Sequence, residues 1–446
     1  MASRDTIAAI ATAHGRGGIG VVRVSGTVLI GLAQALCGRL PTPRVATLSD
    51  FRDGDGSLID RGLVLYFPAP HSYTGEDVLE LQGHGGPVVL QRLLKRCLVL
   101  GSRVAEPGEF SKRAYLNGKM DLAQAEGVAD LIDAATEQAA RCANRSIYGE
   151  YSAEIQTLGR QITELRALTE AALDFPEEDI DAGTRNDQQR RLIATQTQLA
   201  NLLEKSDQGS LLREGAMVVL AGLPNAGKSS LLNRLAGEDV AIVTEIPGTT
   251  RDAIRQSINL YGVPIHVIDT AGLRATDDPV ERVGVARSWA AIEKADLAVL
   301  VIDATKGETD ADRAILAKLP KAVPRLQVYN KTDLARMPIE QSVAGSSATV
   351  SLSAKTGDGI EALRHAMAEA IGWRGEGEGV FMARARHIEA LRRAQANLIQ
   401  AENEILQQEL FADTLRHAHE ALMSITGEVS SDDLLGEIFS RFCIGK

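Results

Sequence analysis

One glycine-rich segment limits what this chain can fold into more than any other. It reads Gly222-Leu-Pro-Asn-Ala-Gly227-Lys228-Ser229, and it follows an apolar run, residues 217–221, that is typical of a buried strand. Residues 230–236 then show a helical pattern. A strand, a glycine loop ending in Lys-Ser and a helix form the context of a phosphate-binding P-loop, because glycines let backbone N–H groups approach phosphate oxygens. We expect Lys228 to reach the β- and γ-phosphates and Ser229 to bind Mg²⁺.

Three downstream motifs indicate which nucleotide the P-loop binds. Asp269-Thr-Ala-Gly272 follows a strand-like run, and its acid is expected to hold Mg²⁺ through water. Asn330-Lys331-Thr332-Asp333 follows a second run. A carboxylate at Asp333 can accept both the ring N–H and the exocyclic amine of guanine, whereas adenine would present an acceptor to it. Ser353-Ala354-Lys355, after a third run, is expected to contact the edge of the base. The four motifs in this order predict a GTP-binding G domain and disfavour a P-loop ATPase.

Composition restricts the class of protein. A length of 446 residues with 44% hydrophobic residues predicts two to four domains with true cores. The net charge of −11 argues against a protein that attracts nucleic acid through its overall electrostatic field. Any contact with RNA must therefore be local or shared with a partner. Four widely spaced cysteines without a C-x-x-C pattern indicate neither a zinc site nor a disulfide framework. Because no signal peptide or long apolar run is evident, we expect a cytoplasmic protein.

The pattern of apolar, turn-forming and helix-forming residues divides the chain into four segments. Residues 1–118 alternate short strands with turns and predict an α+β domain with a helix from Pro87 to Leu100. The turn at residues 14–18 contains G-x-x-G, as KH modules do, but it joins two strands and is interpreted as a hairpin turn.

Helical periodicity dominates residues 119–210, where an apolar face is predicted at Val128, Leu131, Ile132 and Ala135. The G-domain motifs occupy residues 211–373, for which we expect a doubly wound, mostly parallel sheet. Helical periodicity returns over residues 374–446. The simplest packing places the later helices against the earlier ones, so the G domain is inserted into a helical domain.

Several segments outside the G-domain motifs are more specific. They are Ser72-Tyr-Thr-Gly-Glu-Asp77, His84-Gly-Gly86, residues 107–119, 121–126 and 174–179, and the C-terminus Phe442-Cys-Ile-Gly-Lys446. With these segments the chain resembles, over essentially its whole length, the MnmE (TrmE) family of tRNA modification GTPases, among the TrmE-Era-EngA-like P-loop GTPases. Departures are conservative, such as Ser111 and Tyr115 where the family often has Thr and Phe.

The resemblance implies a homodimer with an N-terminal tetrahydrofolate-binding and dimerisation domain. It also implies a heterotetramer with the FAD-containing protein MnmG, which together add a carboxymethylaminomethyl or aminomethyl group to carbon 5 of the wobble uridine of certain tRNAs. The one-carbon unit would come from 5-formyltetrahydrofolate or another tetrahydrofolate donor. By similarity, the folate-binding positions are Arg23, Glu80, Lys119 and Lys446, and Cys443 is a possible modification site. The chemistry agrees, because Arg and Lys suit the glutamate tail of a folate and a carboxylate suits its pteridine edge.

The resemblance also assigns the catalytic groups of the G domain. Leu273 occupies the position where many GTPases place a water-orienting Gln, and the family's Glu falls on Glu281, with Asp277 and Asp278 as rivals. The family uses K⁺ in place of an arginine finger, which implies potassium ligands at Asn225, Thr244, Ile246 and Thr249, while Mg²⁺ would lie between Ser229 and Thr250. The expected GTP-binding residues are Asn225, Ala226, Gly227, Lys228, Ser229, Ser230, Thr244, Glu245, Ile246, Pro247, Gly248, Thr249, Thr250, Asp269, Thr270, Ala271, Gly272, Asn330, Lys331, Asp333, Ser353, Ala354 and Lys355.

A regulatory GTPase of ribosome assembly is the alternative from another class. Such proteins usually carry a basic RNA-binding module. The acidic balance of this chain and its Cys-Ile-Gly-Lys terminus favour the tRNA-modification interpretation.

Overall fold

The computed structural model describes residues 5–27, 29–174, 182–237, 254–269, 293, 295–318, 320, 323–344, 347–375, 379–428 and 432–445. The chain forms two compact units, one of Met1–Ala129 with Leu422–Lys446 and one of Asp130–Ala421. The domain boundaries predicted after residues 118, 210 and 373 stay predictions.

The strands and helices are numbered in chain order. The strands are β1 (Thr6–Ile10), β2 (Gly17–Gly26), β3 (Thr47–Arg52), β4 (Leu58–Phe67), β5 (Asp77–Gly85), β6 (Ser102–Val104), β7 (Ala216–Ala221), β8 (Ile254–Leu260), β9 (Val263–Asp269), β10 (Leu297–Asp303), β11 (Arg325–Asn330), β12 (Gln341–Ala344) and β13 (Ser347–Ser351). The helices are α1 (Leu29–Cys37), α2 (Pro87–Val99), α3 (Glu109–Leu116), α4 (Leu122–Asp133), α5 (Glu137–Ile147), α6 (Glu150–Asp174), α7 (Ala182–Glu214), α8 (Lys228–Ala236), α9 (Asp310–Lys318), α10 (Thr332–Ala335), α11 (Ile360–Ala370), α12 (Ala385–Glu404), α13 (Gln408–Thr426) and α14 (Asp432–Ser440).

The first unit is built on a sheet in the order β3-β4-β5-β2-β1-β6. Strands β1 and β2 pair antiparallel, which confirms the hairpin turn predicted at residues 14–18. Val22 and Val24 are buried in the core formed with α1 and α2. Because successive side chains of a strand point to opposite faces, Arg23 lies on the other face, where it approaches the ring of Phe110 in α3. Strand alternation therefore places Arg23 on the face covered by α3, away from the core formed with α1 and α2.

The G domain in the second unit has a sheet in the order β12-β13-β11-β10-β7-β9-β8, in which β8 and β12 are antiparallel edge strands. The five strands between them pair in parallel. Alternate residues of β10 enter two separate cores, with Val299 on one face and Leu300 on the other. Burial on both faces explains why the central strands β7 and β10 are almost continuous apolar runs, and it confirms the expected doubly wound architecture. Loops that follow parallel strands meet at one edge of the sheet.

Helices before and after the G domain pack together. The side chain of Gln196 in α7 donates a 3.0 Å hydrogen bond to the carbonyl of Leu398 in α12. Gly209 of α7 lies so close to residue 381 that an added Cβ would be 1.7 Å from the Phe381 carbonyl oxygen. These contacts confirm the prediction that the later helices lie against the earlier ones. Within the described ranges, no helix combines the length and the apolar character needed to cross a membrane.

The helix α4 is confirmed, but only part of its predicted apolar face is buried. Leu131 packs against a core and Val128 is half-buried, whereas Ile132 is 48% exposed and Ala135 lies beyond the end of the helix at Asp133. The fully buried apolar positions of α4 include Leu122, Ala125 and Ala129, which join a cluster with residues of α14. The sequence misleads here because the side chains contributed by α14 decide which face of α4 is covered.

Candidate functional site

The P-loop joins the carboxyl end of β7 to the first turn of α8, which begins at Lys228, two residues earlier than the sequence pattern predicts. Gly222 has a φ of +143°, and an added Cβ would lie 2.3 Å from the carbonyl oxygen of Val301. Gly227, the N-cap of α8, has a φ of +97°, and Asn225 has a φ of +63°. These left-handed conformations turn the chain tightly, and they explain why two positions require glycine. The loop ends at a helix N-terminus, which attracts anions.

Lys228 lies over the loop that precedes it. Its ammonium donates hydrogen bonds to the carbonyl oxygens of Gly222 at 2.7 Å and Leu223 at 3.0 Å. Ser229 and Ser230 are exposed in the first turn of α8. A cation, two hydroxyls and the positive end of a helix are therefore arranged around one loop, which is the arrangement that binds a polyphosphate with a divalent cation.

Asn330 joins three of the predicted motifs. Its side-chain nitrogen donates to the Ala226 carbonyl at 2.9 Å, and its side-chain oxygen accepts from the Ala354 N–H at 3.0 Å. The same oxygen accepts from the N–H of Lys331 at 2.8 Å. Asn330 is 2% exposed, so these bonds are shielded from water. The P-loop, the Asn-Lys-Thr-Asp motif and the Ser-Ala-Lys motif are thus held in one arrangement.

Asp333, the carboxylate predicted to read the base, is positioned by the Ser-Ala-Lys motif. Asp333 is exposed, in the short helix α10, and accepts a 2.8 Å hydrogen bond from the hydroxyl of Ser353, which is buried. Lys355 is exposed, and its carbonyl accepts a 3.1 Å bond from Arg234 of α8. The structure therefore brings Asp333, Ser353 and Ala354 together, as the sequence predicts for a guanine site.

Asp303 is a residue of this site that the sequence analysis does not single out. It ends β10, and its carboxylate accepts a 2.7 Å hydrogen bond from the ammonium of Lys331. Burial alone would raise the pKa of Asp303, but hydrogen bonds from Lys331 and Thr305 outweigh it and lower that pKa to about 2. An acid at the carboxyl end of a parallel strand is the signal that could have identified it.

The predicted folate positions lie in the other compact unit. Arg23 and Glu80 are opposite each other in the antiparallel pair of β2 and β5, and the Arg23 Nε donates to the Glu80 Oε1 at 2.9 Å. The Arg23 guanidinium also lies 5.4 Å from the centre of the Tyr73 ring. Lys119 donates a 3.1 Å hydrogen bond to the Pro70 carbonyl. Arg23 and Lys119 thus contact one loop, residues 70–76.

The four cysteines fall into two groups. Burial raises the pKa of the Cys37 thiol to about 11 and that of Cys97 to about 12, and it also raises the pKa of Cys142. Cys443 is exposed, and its carbonyl accepts a hydrogen bond from the N–H of Gly108 at 3.3 Å. Accessibility therefore distinguishes Cys443 from the other three thiols.

The remaining predicted residues lie outside the described residues. They are the catalytic candidate Glu281 with its rivals Asp277 and Asp278, the first-switch residues 244–250, then Thr270, Ala271 and Gly272, and Lys446. For Asp269 the structure describes the backbone, as the last residue of β9.

Comparison with known proteins shows the family. Residues 122–443 match the model of the MnmE helical domain, and residues 6–119 match the model of the GTP-binding protein TrmE N-terminus. The chain is 58% identical over 443 residues to the tRNA modification GTPase MnmE of Azoarcus sp. (strain BH72), covering 99% of this chain and 98% of that protein. It is 58% identical over 445 residues to the protein of the same name from Laribacter hongkongensis, covering 99% of both. The protein of that name from Nitrosomonas europaea is 57% identical over 451 residues, covering 100% of both. The chain therefore belongs to the MnmE family of tRNA modification GTPases.

Proposed function

We propose that this chain hydrolyses GTP and couples the hydrolysis to modification of the wobble uridine of tRNA. The observation that carries the GTP part is the pair of hydrogen bonds made by Asn330, to Ala226 of the P-loop and from Ala354 of the base-edge loop. The tRNA part rests on family membership, since full-length relatives carry the name tRNA modification GTPase.

Within this proposal each described residue of the site has a role. Lys228 exchanges its bonds to Gly222 and Leu223 for phosphate oxygens, which are stronger acceptors because they are charged. Asp333 accepts from guanine while Ser353 holds its carboxylate. Ser229 offers its exposed hydroxyl to Mg²⁺ together with Thr250, and the cation neutralises charge between the phosphates when it is bound.

The proposal includes K⁺ as a second cation and Glu281 as the group that orients water. Its support is chemical: Leu273 cannot hydrogen-bond a water, and Asn225 is exposed in the P-loop with a side-chain oxygen suited to a large monovalent cation. Thr244, Ile246 and Thr249 would supply further oxygens. Positive charge at this position stabilises charge that develops only in the transition state, so it acts on kcat more than on GTP affinity.

We further propose that the N-terminal domain binds a tetrahydrofolate one-carbon donor through Arg23, Glu80, Lys119 and Lys446. The paired Arg23 and Glu80 offer a donor and an acceptor side by side, which suits the edge of a pteridine. The exposed Cys443 is a candidate for a role in the modification reaction. A homodimer and a complex with MnmG complete the proposal.

The potassium dependence of GTP hydrolysis tests the G-domain part. Turnover should be fast in K⁺ and slow in Na⁺, and Asn225→Ala should be slow in both. Asn233→Ala, an exposed asparagine in α8, is the matched control and should behave as the wild type. Equal rates in K⁺ and Na⁺, with wild type and Asn225→Ala alike, would rule this mechanism out.

A further inference from the structure

Arg113 is a buried cation that no step of the proposed function uses. Its side chain is 7% exposed, and it lies in α3. The guanidinium bonds to three carboxylates, with distances of 2.8 Å to Asp5, 2.9 Å to Glu109 and 3.1 Å to both oxygens of Glu76. It also donates to the backbone carbonyl of Asp5 at 2.9 Å. A planar group with donors in a fixed fork can satisfy acceptors in several directions at once, which an ammonium cannot do.

One of these acids connects Arg113 to the loop of residues 70–76. Glu76 accepts from Arg113 and also from the hydroxyl of Ser25 at 2.7 Å. That hydroxyl makes a second bond, at 2.8 Å, to the hydroxyl of Thr74. The Glu76 end of the loop is therefore attached to α3 through a charged contact and to β2 through a hydroxyl network.

The same loop contacts two of the residues that are predicted to bind folate, Arg23 and Lys119. Tyr73 presents its ring to Arg23, and its hydroxyl lies 2.8 Å from that of Ser111 in α3. Pro70 accepts from Lys119. Gly75 approaches the same lysine so closely that an added Cβ would be 3.3 Å from the Lys119 Cγ. Any displacement of the loop would therefore move the surroundings of both Arg23 and Lys119.

Charge explains why the arrangement depends on Arg113. Without it, Asp5 and Glu109 would keep Arg103 as a partner, but Glu76 would lose the cation that it contacts and would lie next to two other acids. Burial alone would raise the pKa of Glu109, but bonds from Arg103, the Glu106 N–H and Arg113 outweigh it and lower that pKa, so the acid is held ionised. Removing one partner from a buried ionic group leaves the others uncompensated, and the loop would move to separate them.

We infer that Arg113 is a positioning residue of the folate site, which holds Glu76 so that the loop of residues 70–76 places Arg23 and Lys119 to bind the ligand. The inference rests on the proposed folate function and adds a residue that does not itself contact the ligand. Arg103 provides a matched comparison, because it bonds to Asp5 and Glu109 but is not hydrogen-bonded to Glu76.

The test measures binding of 5-formyltetrahydrofolate to the full chain by calorimetry, together with the melting temperature of each variant. Wild type, Arg113→Lys, Glu76→Gln and Arg103→Lys are compared at a temperature where all are folded. Arg113→Lys keeps the charge but lacks the fork of donors that bonds to Asp5, Glu109 and Glu76 together. It should raise the Kd by about tenfold or more, since ligand-binding groups displaced by even 1 Å lose much of their effect. Glu76→Gln should raise it by a smaller factor, and Arg103→Lys should leave it within about twofold of wild type, because the Glu76 contact remains.

The outcomes separate three cases. A purely structural role would make the loss of binding follow the fall in melting temperature, whichever arginine is changed, and that result would overturn the inference. Wild-type affinity in both Arg113→Lys and Glu76→Gln would overturn it as well. If Arg113→Lys does not fold, Glu76→Gln against Arg103→Lys decides in the same way. Failure of the wild type to bind 5-formyltetrahydrofolate would instead overturn the proposed folate function, and this inference with it.

Discussion

The side-chain amide of Asn330 donates a 2.9 Å hydrogen bond to the main-chain carbonyl of Ala226, a residue 104 positions earlier in the chain. The bond connects the loop proposed to read the base with the loop proposed to bind the phosphates. Because Asn330 is 2% exposed, neither group can exchange its partner for water without local opening. The distance between the two halves of the nucleotide site is therefore set before the nucleotide binds.

Replacing Asn330 by Asp should remove the hydrogen bond that connects the Asn-Lys-Thr-Asp motif to the P-loop. The acid keeps the size of the side chain but loses the donor, so a carboxylate would face the Ala226 carbonyl. We expect a loss of about 1–3 kcal/mol in GDP binding free energy, the range for a buried polar group left without its partner. Calorimetric titration with GDP measures it, with the exposed Asn233→Asp as a control that should bind normally. Unchanged GDP affinity in Asn330→Asp would show that the bond has no such role.

Changing Asp333 to Asn should switch the base that is bound. The amide presents a donor where one carboxylate oxygen accepted, so the exocyclic amine of guanine loses its acceptor, while the carbonyl at the same position of xanthine gains a donor. GTP affinity should fall and xanthosine triphosphate affinity should rise, as competition binding with the two nucleotides will measure. The Ser353 hydroxyl can still donate to the amide oxygen, so folding should be preserved. Normal GTP hydrolysis by Asp333→Asn would refute the base-reading assignment.

Gly227→Ala should abolish nucleotide binding, whereas Gly307→Ala should not. Both glycines have a positive φ, of +97° and +68°, and each substitution adds backbone strain of about 1–2 kcal/mol. An added Cβ at position 227 would also lie 2.2 Å from the Asn330 Nδ2, while position 307 has no atom within 4 Å. GDP binding and thermal unfolding of both variants separate the clash from the strain. If Gly227→Ala and Gly307→Ala change GDP binding equally, the close approach of position 227 to Asn330 does not matter for nucleotide binding.

The ion pair of Asp303 and Lys331 should make the free energy of unfolding of the G domain depend on pH. The carboxyl pKa of Asp303 is lowered from 3.8 to about 2, so its contribution to stability is present above pH 3.8 and is lost as the pH falls through about 2. Asp303→Asn removes this contribution at every pH. The difference in unfolding free energy between wild type and variant should therefore shrink between pH 4 and pH 2 in denaturant titrations. A difference that stays constant over this range would contradict the assignment.

Local chemistry made much of the fold predictable. The apolar runs before each G-domain motif are strands β7, β9, β11 and β13, and the hairpin turn at residues 14–18 is confirmed. Strand β3 is not evident from the sequence, because it is an edge strand with one buried residue, Phe51, and no clear alternation. The sequence predicts helix α4 but only part of its buried face, since its partner α14 is more than 300 residues away in the sequence.

The candidate sites divide in the same way. Motif spacing identifies Lys228, Ser229 and Asp333 because their neighbours in sequence are also their neighbours in space. The roles of Asp303 and Arg113 depend on contacts between distant segments. The position of Asp303 at the end of a strand is a local signal, but no local pattern reports the bond from Arg113 to Glu76. Sequence thus predicts the groups that touch a ligand better than those that position them.

Nucleoside mass spectrometry of tRNA tests whether this chain takes part in wobble uridine modification and needs its P-loop to do so. Total tRNA from cells that lack this chain is compared with tRNA from the same cells supplied with the wild type or with Lys228→Ala. We expect wobble uridines without the carbon-5 aminomethyl-type group when the chain is absent, restoration by the wild type and no restoration by Lys228→Ala. Fully modified wobble uridines in cells that lack the chain would contradict the proposed function.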